Sequence, residues 1–180
     1  MNTTNTIHLP RLVIATLAAF FVTLLANIVL YGNPLTQSVY YSGAAGQGDK
    51  FVAIWNTLQP LPALSAKWSA LANPTGRTFA VQGLLLAWIF GVTFIFAKLQ
   101  HAIPGSGLRK GVNYGVIVWA LCFVFFDVWT HFNVMAMPLG YVIFGLILNL
   151  IISIIVGVTV TAIYKPALQM RSGLSPSHAV

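Results

Sequence analysis

The chain has 180 residues, 58% hydrophobic and 6% charged, with nine Lys/Arg against two Asp/Glu. Soluble domains carry roughly 25% charged residues, so this composition excludes a domain covered by water and makes lipid the solvent. The net charge of +7 does not make a nucleic-acid binder, because the basic residues are scattered and form no patch or stripe; they fit headgroup anchors and topology signals instead.

Four apolar runs are long enough to cross about 30 Å of hydrocarbon as helices. Backbone polar groups cannot face lipid unpaired, and the runs are too long for barrel strands. The first is Leu12–Tyr31, "LVIATLAAFFVTLLANIVLY". Its apolar core exceeds the h-region of a secretory signal, and no A-x-A-like site follows "LYGNPLT". The expectation is therefore an anchor, with a cleaved presequence as the alternative.

The stretch 32–78 follows as a loop. It opens with "SGAAGQGDK" and continues into "FVAIWNTLQPLPALSAKWSALANPTGR". Phe51, Ile54, Trp55 and Leu58 share a helical face, and so do Leu61, Leu64, Trp68 and Leu71 after two prolines. Short interfacial helices with their tryptophans at the headgroups are expected, or else a lid over a site between the spans.

The second span is Phe79–Leu99, carrying Gly83, Ala87 and Gly91 at four-residue intervals. In lipid, helices associate by close packing of small residues, so this stripe is the strongest packing signal in the chain. The third span is 111–130, beginning at Gly111 and Gly115, and the fourth is Leu139–Tyr164, with Ser153 and Gly157. Short connections predict antiparallel neighbours for spans two and three and for spans three and four. The predicted fold is an all-α integral membrane protein, residues 1–180 forming one four-helix transmembrane bundle with an extracytoplasmic loop.

Lys/Arg asymmetry orients it. Arg11, Lys98, Arg109, Lys110, Lys165 and Arg171 share one side, against Lys50, Lys67 and Arg77 on the other. Both termini are expected in the cytoplasm of an inner-membrane protein. The tail after Pro166 reads as polar and disordered. A faint duplication is also legible. A shift of one hundred lays "RLVIATLAAFFVTLLANIVLYG" on "KGVNYGVIVWALCFVFFDVWTH", with Asn27 opposite Asp127 and Tyr31 opposite His131.

Asp127, one of two acids in the chain, lies one turn before His131, inside an apolar run. An i, i+4 spacing puts the pair on one helix face. The two could share a proton near neutral pH, and an acid inside a span is by default a functional candidate. Asn27 and Gln82 are expected at similar depth, forming with them one polar cluster near the outer surface; Asn149 is expected deeper. The alternative role for all five is hydrogen-bonding glue between helices.

His131, Met135 and Met137 are soft ligands suited to Cu(I), although Met as packing filler is the default. His101 and His131 stand at opposite ends of the bundle, which argues against a haem within one copy. Cys122 alone forms no disulfide, zinc or redox pair, and inside an apolar span its thiol is expected to be inert. No nucleophile, phosphate-loop or zinc-protease fingerprint is present.

The expected function is non-enzymatic, without a cofactor. The protein would act in the bilayer through helix contacts, as a homo-oligomer or as the accessory subunit of another membrane protein. The competing expectation is a small proton-coupled transporter or channel using Asp127 and His131; a weaker one is Cu(I) handling.

Overall fold

The computed structural model describes residues 7–41, 74–134, 137 and 139–164. Among these the chain is entirely helical, and four helices are long and apolar enough to cross a membrane. The expected interfacial helices at 51–71, and Met135 with them, lie outside the described residues.

The first span is α1, Leu9–Gly32, with proline in its first turn, where the missing N–H costs nothing. Asn33 then leaves helical geometry, at φ −81° and ψ 154°. Its Oδ1 accepts the Thr36 N–H at 3.0 Å and its Nδ2 donates to the Leu30 carbonyl at 2.5 Å. One side chain thus closes α1 and caps α2, Pro34–Tyr41.

The second span belongs to α3, Pro74–Leu99. It begins before the expected Phe79 because "PTGRT" opens with a proline in place to start a helix. A tight turn follows, in which Gly105 (φ +96°) and Gly107 (φ +52°) hold the left-handed conformations that favour glycine.

The third span, Gly107–His131, is not one regular helix. It starts as α4, Gly107–Trp119, and widens into a π turn at Ala120–Val124. It tightens briefly as α5, Phe125–Asp127, and widens again over Val128–Val134. The fourth span is α6, Leu139–Ile163.

The third and fourth spans pair most closely, followed by the first with the fourth and the first with the second. Glycine is the reason for the tightest pairing. A Cβ on Gly111 would stand 2.6 Å from the Val158 Cα, and one on Gly115 2.5 Å from the Ile154 Cα. From the other side, a Cβ on Gly157 would reach within 2.6 Å of the Gly115 nitrogen. The two backbones therefore lie in direct contact, as small residues allow in lipid. Trp119 Nε1 donates to the Leu146 carbonyl at 2.9 Å across the same seam.

The second and third spans also touch, as their short connection predicts, but through large side chains. Tyr114 donates its hydroxyl to the Val92 carbonyl, Phe96 meets Tyr114 at 5.0 Å, and Trp88 meets Phe123 edge-on at 5.6 Å.

The main core gathers Leu12, Ala15, Ala19, Ile89, Phe96, Tyr114, Val156 and Val160 from all four spans. The outside is apolar as well: Leu25, Ile28, Leu84, Leu121 and Phe125 are all more than 60% exposed. A surface of this kind suits acyl chains rather than water. Cys122, expected inside, lies exposed on the bundle surface, within the π turn at Ala120–Val124.

Candidate functional site

The polar site forms at the end of the bundle away from Leu9, the Gly105 turn and Ile163. Its placement depends on the irregular third span. Gly111, Tyr114, Gly115 and Val118 form the buried stripe of α4. Continued at about 100° per residue, that stripe runs on through Leu121 or Cys122 to Phe125. Asp127 would then point about 180° away from Val118, outward. The structure is the reverse: Leu121 is 77% exposed and Phe125 72%, while Asp127 is 8% exposed. A π turn bonds i to i+5 and holds more residues per turn than an α turn. The π turn at Ala120–Val124 delays the rotation and brings the carboxylate round to the fourth span.

There Asn149 Nδ2 donates to Asp127 Oδ2 at 2.7 Å, a charge-assisted bond of short length. The other face of the same amide accepts: the Tyr31 hydroxyl stands 3.5 Å from Asn149 Oδ1, at the long limit of a hydrogen bond. On the third span itself, His131 Nδ1 lies 3.7 Å from Asp127 Oδ1 and 3.3 Å from the Asp127 carbonyl oxygen. The imidazole is the more open partner, its side chain 27% exposed against 11% for the aspartate, and it leans on the Tyr141 ring at 6.3 Å. A line of polar groups thus runs from His131 through Asp127 and Asn149 to Tyr31. It ties the third, fourth and first spans together.

Asp127 and His131 meet as their spacing predicts. Asn149 is no separate, deeper residue; it holds the carboxylate directly. Asn27 stays outside the cluster, its Nδ2 donated to the Thr23 carbonyl one turn back at 2.9 Å. Gln82 also stays outside, its Oε1 buried and accepting no hydrogen bond among the described residues. Met137 is 2% exposed and packs with Tyr141 and Val142 in an apolar cluster, the filler role rather than that of an open thioether. Tyr31 enters the line although the hydropathy pattern gave no reason to select it. The one hint was its alignment with His131 in the faint duplication.

Chemically, the cluster offers one carboxylate and one imidazole able to exchange a proton, an amide that both donates and accepts, and a phenol. It lacks a nucleophile–base pair and a second carboxylate for acid–base catalysis among the described residues.

The Gly83/Ala87/Gly91 stripe is placed elsewhere. Gly83 and Ala87 are exposed and Gly91 is half-buried. Among the described residues, a Cβ added at either glycine would meet nothing within 4 Å.

The chain matches no family model, no curated protein and no solved structure.

Proposed function

We propose that this protein works in the bilayer through helix contacts, assembling with a second copy or serving as a subunit beside another membrane protein. The observation that carries this is the second-span stripe. Small residues at four-residue spacing let backbones approach in lipid, and here Gly83 and Gly91 face none of the described residues. Among the described residues nothing packs against the two glycines, whereas Gly111, Gly115 and Gly157 are spent on the third–fourth seam. The orientation that goes with this reading has both helix ends near Leu9 and Ile163 in the cytoplasm, in an inner membrane, as the Lys/Arg distribution favours.

Single-molecule subunit counting in lipid bilayers tests it. Wild type should give complexes of more than one copy, or one copy with a stoichiometric co-purifying subunit. Ala87→Leu should break them while leaving helicity and thermal unfolding unchanged. Wild type present as a lone single copy at every protein density would end the proposal.

A second reading is favoured by a different observation: a carboxylate 8% exposed, with an imidazole 3.7 Å away, within an apolar span. Such residues are expensive in lipid and mark proton or ion paths. On this reading the protein is a small proton-coupled transporter or channel, with Asp127 and His131 taking up and releasing the proton. Proteoliposomes should show pH-driven flux that Asp127→Asn abolishes with folding intact; absence of flux in wild type under either sign of pH gradient would dispose of it.

A further inference from the structure

The two oxygens of the Asp127 carboxylate stand in different surroundings. Oδ2 accepts from Asn149 Nδ2 at 2.7 Å. It goes on accepting when a proton sits on the other oxygen. Oδ1 is the oxygen that faces the imidazole, 3.7 Å from His131 Nδ1. His131 is the last residue of the third span, and its side chain is 27% exposed. We propose that Asp127 is a one-sided proton-binding site. Oδ1 takes up and releases a proton by way of His131 at the far face of the membrane, away from Leu9 and Ile163, and exchanges none with the near face. The proposal rests on the proton-handling reading for the uptake itself, and replaces the path across the bundle with a sensor of one compartment.

The step moves one proton and no electrons. A proton adds to the exposed ring, the Nδ1–H bond breaks as an O–H bond forms on Oδ1, and a neutral acid is left beside a neutral imidazole. Release runs the same step backwards. A separation of 3.7 Å is longer than a hydrogen bond, so the ring swings closer or one water carries the proton between them.

Toward the near face the polar line ends. Phe96, Ile152 and Val156 pack there as core. The hydroxyls set among such residues are tied to backbone. Thr23 donates to the Ala19 carbonyl at 2.6 Å, Thr93 to Ile89 at 2.8 Å, Thr159 to Ile155 at 2.8 Å, and Tyr114 to Val92. A backbone carbonyl has no proton to pass on, so each of these bonds ends a relay. The buried hydroxyls of Thr16, Ser153 and Thr161 bond to none of the described residues. Among the described residues no chain of hydrogen bonds leads from Asp127 to the near face.

Few groups face the carboxylate. The third span brings His131, and the fourth brings Asn149 and, beside the imidazole, Tyr141. The first brings Tyr31, one bond further along the line. The described side chains of the second span place their cation, Lys98, in the last turn of α3, at the near end.

Infrared spectroscopy on the full chain, inserted in one orientation in liposomes with inside and outside pH set separately, tests this. Only two Asp/Glu side chains exist, so a protonated-carboxyl band lost in Asp127→Asn and kept in Asp49→Asn is assigned. In wild type the band should rise when the far face is acidified with the near face held neutral. The reverse gradient should leave it unchanged. In His131→Leu the rise after a far-face pH jump should slow by about 100-fold, and imidazole added on that face should restore it.

A band that follows the near-face pH, or both faces alike, overturns the one-sided site and leaves proton handling standing. A rise as fast in His131→Leu as in wild type overturns entry through His131. Absence of any Asp127 carboxyl band across the pH range overturns the site and the proton-handling reading together.

Discussion

Two ladders of small residues run through this bundle, one closed and one open. Gly111 and Gly115 of the third span lie against Gly157 of the fourth so tightly that no Cβ fits. Gly83, Ala87 and Gly91 of the second span have the same four-residue spacing, yet a Cβ at either glycine would stand clear of every described neighbour. Spacing creates the capacity for close approach, and a facing helix has to use it. The third–fourth seam is used because Gly111 and Gly115 meet Gly157 on the facing helix, glycine against glycine. The second span meets the third through Trp88, Phe96 and Tyr114, rings that hold the backbones apart and leave the smooth face outward.

Substitutions should separate the two ladders. Gly115→Leu has the largest expected effect: its Cβ would overlap the Ile154 backbone, and overpacking of this kind costs about 3 kcal/mol. Reversible unfolding in mixed micelles should show it as a drop in folded fraction. Asn149→Leu comes next. It leaves Asp127 Oδ2 without its donor, and a buried unpaired acceptor costs about 1–3 kcal/mol; the same unfolding series reads it. Tyr31→Phe removes one long hydrogen bond, for about 0.6 kcal/mol, and should barely move the midpoint. Ala87→Leu on the open ladder should be the smallest, within about 0.5 kcal/mol, while changing the number of copies counted in bilayers. If Ala87→Leu unfolds the chain as Gly115→Leu does, the second-span ladder is closed against something, and the contrast is lost.

The four spans were legible because apolar length is a one-dimensional signal. So was the pairing of Asp127 with His131, which sequence spacing alone dictates. What lies across the bundle was harder to read. A regular helix continued from the buried stripe through Val118 would point Phe125 inward and Asp127 outward, and nothing in "ALCFVFFD" announces the π turn that reverses them. Where a helix widens into a π turn depends on packing across the bundle, which is a tertiary quantity. Asn27 was expected at the depth of Asp127 and Asn149 deeper, but the Asn27 amide is spent on its own helix at Thr23, a local competition that residue type does not reveal. Tyr31 was hinted at only by its alignment with His131 in the faint duplication, because aromatic residues near a span end are usually interfacial anchors.

The wide turn at Ala120–Val124 makes the third span tolerant of length in an unusual way. Deleting a residue from a regular α-helix swivels everything beyond it by about 100°; deleting one here would let the wide turn close to an α turn and leave the far half facing nearly as it did. The tight seam with Gly157 would keep its grip, and Asp127 would still face the fourth span. In this bundle the wide turn is where a one-residue change in chain length can be absorbed without twisting the far half against the near half.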